Sequence, residues 1–175
     1  REHEGRDYFH GMLAFALEQV GDLDGALEHG LRGTEVRPDD AWSQHAVAHA
    51  LYFRGELRRG ADWLGVPERT SAWQPLCSFM RTHNWWHLAL FNLDMGRLDT
   101  VAGLYDAEVW GVDKGNVEDQ LGGLGMLAKW SLRLSQLRRA QAAGYDGSTG
   151  MEDGAGGDEA ALDARWADVL SFARK

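Results

Sequence analysis

Histidine is the residue type that offers chemistry in this chain, and its spacing is the first clue. Seven histidines occur among 175 residues, and four of them form two HxxxH pairs, His45/His49 in HAVAH and His83/His87 in HNWWH. On a helix, a separation of four places both imidazoles on one face, with β-carbons about 6 Å apart. Such a pair can ligate one metal ion or flank one substrate group. His45, His49, His83 and His87 are therefore the candidate metal ligands, for a divalent ion such as zinc, because neutral imidazole suits such ions. A three-histidine site with an open position activates water for hydrolysis. Without a metal, His83 or His87 is the candidate general base. Asp94 would steer it, since it lies eleven residues after His83 and about 20° from it round a helix. His10 is a further candidate binding residue; Glu18, about 80° round from it, is a looser match. Trp85 and Trp86 read first as packing aromatics and second as binding residues beside the histidines. No serine or cysteine is placed as a nucleophile, and Cys77 reads as a small buried apolar residue.

These residues need helices to position them, and strand signals are nearly absent. Apolar positions recur at three and four, as in Leu13, Leu17 and Val20, or Leu23, Ala26, Leu27 and Leu31. Glycines at 21, 55 and 96 each end one helical run and open the next. The spacing predicts helices near 5–20, 22–36, 40–54, 56–65, 72–95, 97–110 and 116–142. Asp40 is the expected N-cap of the third; Thr70 or Ser71 should cap the fifth, with Pro75 inside its first turn. Gly21 to Gly55 is 34 residues and Gly55 to Gly96 is 41. A 34-residue helix–turn–helix period is the tetratricopeptide spacing, supported by Ala14, Ala26, Ala48 and Pro38. Each helix pair exposes an apolar face that it can bury only against the next pair. The expected fold is all-α, a short right-handed solenoid over residues 1–142. Residues 143–157, rich in glycine and acidic, should form a flexible loop. Residues 158–175 start a further helix with Leu162, Trp166, Val169 and Leu170 on one side. The first helices of successive repeats would line one concave surface and bring His10, His45/His49 and His83/His87 together there.

Composition narrows the function classes. The formal net charge of −9, with no basic stripe, argues against nucleic acid or an anionic membrane as partner. No apolar run approaches the roughly 18–20 residues that span a bilayer. A single cysteine rules out an internal disulfide and fits the cytosol. The chain starts without methionine and stops on Arg174-Lys175 inside an apparent helix, so a fragment of a longer protein is expected.

The chain resembles the tetratricopeptide repeat protein 38 family over roughly residues 5–137. The residues carrying the match are YFHGMLAFALEQVGDLDGAL (Tyr8–Leu27), RPDDAWSQHAVAHALYFRGE (Arg37–Glu56) and THNWWHLALFNLDMGRLDTVAGLYD (Thr82–Asp106). HNWWHLALF is the most specific of these; the 144–157 stretch departs from the pattern. The resemblance implies a soluble α-helical repeat protein, places the five histidines at the family's motif positions, and supplies no biochemical activity. Two functions follow as expectations. The first is a scaffold that binds a protein, a peptide or a small molecule in a concave groove. The second is an enzyme or metal-binding protein with a histidine-rich site in that groove.

Overall fold

The structure, a computed structural model, describes residues 7–76, 79–144 and 159–173. All regular structure among them is helical: α1 (Asp7–Gln19), α2 (Leu23–Val36), α3 (Ala41–Phe53), α4 (Leu57–Leu64), α5 (Pro67–Trp73), α6 (Met80–Asp94), α7 (Leu98–Leu104), a π-helical turn (Tyr105–Val109), α8 (Val117–Ala142) and α9 (Glu159–Ala173). No described helix is long and apolar enough to cross a membrane. The chain divides into two compact units, residues 1–91 and 92–175.

The glycine punctuation is physical. Gly21, Gly55 and Gly96 adopt φ of 83°, 73° and 79°, a left-handed conformation that costs side-chain-bearing residues energy. Each closes its helix with the same two bonds. At the first, Gly21 N–H donates to the Glu18 carbonyl and Asp22 N–H to the Leu17 carbonyl, and Gly55/Glu56 and Gly96/Arg97 repeat the pattern. The expected N-cap of α3 is present: the Asp40 carboxylate accepts from the backbone N–H groups of Trp42 and Ser43 at 3.1 and 3.3 Å.

The first unit is built around α3, against which α1, α2, α4 and α5 all pack. Ala14, Ala26 and Ala48, the small residues of the repeat pattern, are fully buried with Val47, Leu51, Leu64 and Phe91. Gly33 lets α2 approach α3 closely, since a β-carbon there would lie 2.1 Å from Ser43 Oγ. Two buried amides then fix the remaining helices. Trp73 Nε1–H donates to Gln44 Oε1 at 2.5 Å, and Gln44 Nε2–H to the Pro38 carbonyl at 2.7 Å, tying α5 to α3. Asn84 Nδ2–H donates to the Ala41 carbonyl at 3.2 Å, tying α6 to α3. Gln44 and Asn84 each stand one residue from a histidine of the HxxxH pairs.

One expected helix is two. Instead of a single span near 72–95, α5 starts with Pro67 at its first position and α6 starts at Met80. Pro67 fits a first turn because its missing N–H is not needed there, while Pro75 supplies no N–H for continuing the helix. Thr70 and Ser71 thus lie inside α5 rather than capping α6. Cys77 and residues 145–157, the expected buried thiol and flexible loop, lie outside the described residues.

In the second unit α9 packs on α8. Trp110 Nε1–H and Lys114 Nζ both donate to Asp168, at 2.7 and 2.6 Å, and Arg165 grips Asp106 with two bonds. Leu162 and Val169 are buried as the helical pattern predicts, but Leu170 is 38% exposed and lies off the packed face.

Candidate metal centre

Helices α3 and α6 each carry an HxxxH pair, and the Asn84 bond holds those two helices together. The four imidazoles meet. One ring nitrogen from each of His45, His49, His83 and His87 lies within 4.8 Å of the other three. His87 Nε2 stands 3.1 Å from His49 Nε2 and 3.2 Å from His83 Nε2. Around a zinc ion with bonds of about 2.0–2.1 Å, the nitrogens of a tetrahedral set are about 3.3–3.4 Å apart. The His45 ring lies 4.3 Å, centre to centre, from His49 and 4.9 Å from both His83 and His87.

Burial sets the protonation state. Removal from water holds His45 down to about 2, helped by His49 and His83, and His83 down to about 4, helped by His49. His87 is lowered well below the ordinary imidazole range by burial and then by its three neighbours. His49 is lowered too, again by burial, with Glu18 opposing the shift. All four rings are thus neutral near pH 7, which is the form that ligates a metal without first losing a proton. The same shifts make His83 and His87 weak proton acceptors at neutral pH.

The donor set also has unmet demand. Both ring nitrogens of His45, and Nδ1 of His49, are buried without a hydrogen-bond partner among the described residues. Each such orphan costs about 1–3 kcal/mol. A divalent cation among the four rings would take up one of the two orphaned His45 nitrogens, so the donor set present fits such an ion.

Aromatic side chains wall the cluster. Trp86 lies parallel to the His83 ring at 5.8 Å and meets His87 edge-on, so it borders the cluster. Trp85 instead packs edge-on against Trp73 in the interior. Phe15 of α1 stands 6.3 Å from both His45 and His49, and Trp42 stands 6.0 Å from His45. Phe15 and Trp42 border a cavity of about 410 Å³ together with Tyr8 and Met12.

Two sequence expectations meet a different geometry. His10 is not one of the four; its Nδ1 lies 3.0 Å from Nδ1 of His29 on α2, and the two rings stack. Asp94 shares an angular position with His83, but eleven residues of helical rise put it about 16 Å along the axis. It is absent from the metal-capable group. The carboxylate that does reach the cluster is Glu18, whose Oε1 is 3.6 Å from His49 Nδ1. Spacing within α1 alone could not single out Glu18, because its partner is on α3. No family model matches the chain, and no solved structure matches it.

Proposed function

We propose that this protein binds one divalent transition-metal ion through His45, His49, His83 and His87, with zinc the ion that four neutral nitrogen donors suit best. The observation that carries this reading is the convergence of one ring nitrogen from each of four buried or half-buried histidines within 4.8 Å, with two of the separations, His87 to His49 and His87 to His83, close to tetrahedral edges. In this reading α1–α2 and α3–α4 are tetratricopeptide-like pairs in a right-handed stack, supported by the 34-residue glycine interval and the matching turns. The resemblance to the tetratricopeptide repeat protein 38 family supports the same frame. A complete set of four imidazoles favours a metal that clasps α3 to α6. Hydrolytic chemistry requires one ligand to yield its position to water.

The decisive experiment is elemental analysis of the purified chain and of the His83→Ala/His87→Ala double variant. About one equivalent of metal per chain, absent from the double variant, supports the reading. A metal-free wild type that takes up no zinc when titrated overturns it.

A second reading, a groove that binds a protein, peptide or small molecule, draws on the cavity beside Phe15. Met12 and Trp42 at its rim are 68% and 52% exposed, more apolar surface than a solvated helix face needs. The acidic balance keeps nucleic acid out of both readings.

A further inference from the structure

Glu18 is placed at a cost that the four imidazoles do not explain. It stands in the last turn of α1, where the helix dipole disfavours a carboxylate. Its side chain is only 8% exposed. Among the described residues no lysine or arginine pairs with it; its contacts are Gln19 Nε2–H, which donates to Oε2 at 2.6 Å, and the His49 ring. An acidic side chain with so little exposure, at the negative end of a helix, calls for a compensating donor or positive charge.

The His49 ring is strung between this carboxylate and the cluster. Its Nε2 faces His87 Nε2 at 3.1 Å, while its Nδ1 faces Glu18 Oε1 at 3.6 Å. If Nε2 gives its lone pair to a metal, the ring proton must sit on Nδ1, the atom turned toward Glu18. From this geometry, and resting on the metal reading above, we infer that Glu18 is the positioning residue of the site. It accepts the Nδ1–H of His49, fixes that tautomer and ring orientation, and offsets part of the charge of the ion. The 3.6 Å separation is longer than a hydrogen bond, so the two side chains must draw together when the ion binds. Carboxylates behind metal-bound imidazoles typically contribute ten- to a hundredfold to affinity.

The test uses the full chain, zinc as the probe ion, competition titration for affinity, and two-bond ¹H–¹⁵N correlation to read the histidine tautomers. Glu18→Leu is expected to bind zinc about ten- to a hundredfold more weakly, with one equivalent still bound at saturation and the His49 Nδ1–H signal lost or broadened. Glu18→Gln keeps an oxygen acceptor of the same reach and should recover part of the affinity. In it the Nδ1–H signal moves upfield, because a neutral acceptor replaces a charged one. This variant also serves if the leucine variant does not fold. Wild-type affinity in Glu18→Leu, or an unmoved Nδ1–H signal in Glu18→Gln, overturns the role of Glu18 while leaving the metal site standing. A wild-type protein that binds no zinc removes both together.

Discussion

The first unit holds two groups of histidines on similar helices, and they solve the problem of burial differently. His10 and His29 form a stacked pair with facing Nδ1 atoms, one donating and one accepting, beside a cavity of about 580 Å³. A single shared proton satisfies that contact. His45, His49, His83 and His87 are packed so that His87 Nε2 meets two other Nε2 atoms while both His45 nitrogens meet none. A neutral imidazole has one donor and one acceptor, and contacts within the quartet leave both those of His45 unmet by protein groups among the described residues. What would separate a packing histidine from a proposed ligand here is not residue type or helical spacing. It is whether the buried nitrogens can be satisfied without a cation.

The comparison breaks most decisively with metal. Zinc at about a thousand times its dissociation constant adds about 4 kcal/mol to folding stability. For a chain of this length that is about 8–16 °C in midpoint. Thermal melts with zinc and with a chelator should show that gap in the wild type and in a His10→Ala/His29→Ala variant. The gap should vanish in His83→Ala/His87→Ala. An equal response in both double variants would mean that the quartet is not the site.

Acid should expose the same contrast in the metal-free protein. The quartet imidazoles have folded-state values depressed below the unfolded value near 6.5, to about 4 for His83 and about 2 for His45. The unfolded chain therefore binds more protons in that window, and stability is complete above 6.5 and lost as pH falls through it. Between pH 7 and pH 5, a group that stays neutral when folded costs about 2 kcal/mol. Urea unfolding at the two pH values measures this, and Glu18 beside His49 should blunt that residue's share. Replacing His45 and His87 with apolar residues should flatten the dependence.

Much of this arrangement was readable in advance, for definable reasons. Helical periodicity and the three glycines act locally, so the turns at 21, 55 and 96 fall where the spacing predicts. The pairing of HAVAH with HNWWH was legible because each motif fixes a face, and the repeat period suggests that the faces meet. The longer second interval, 41 residues against 34, was harder to interpret. It accommodates the short helix α5, opened by Pro67 and tied to α3 through Trp73 and Gln44. The angular agreement of Asp94 with His83 ignores axial distance, which keeps the carboxylate away from the cluster. Glu18 is hidden for the opposite reason: against His10 on its own helix it is misaligned, yet its neighbour is His49 on another helix. Contacts between helices depend on close approaches such as Gly33 against Ser43, which helical periodicity does not encode.

The smallest expected effect sharpens the contrast from the other side. In His29→Ala, the Nδ1 contact to His10 disappears and the half-buried His29 ring leaves space next to an existing cavity. A neutral hydrogen bond contributes about 0.5–1.5 kcal/mol net, and water reaching the cavity can take over the bond to His10. Urea unfolding should therefore show a loss of at most about 1 kcal/mol, with zinc stoichiometry and affinity unchanged. A loss of zinc affinity in this variant would tie the pair to the quartet through the α1–α3 contact. The two groups of histidines would then act as a single site, and the distinction between satisfied and unsatisfied imidazoles would no longer separate them.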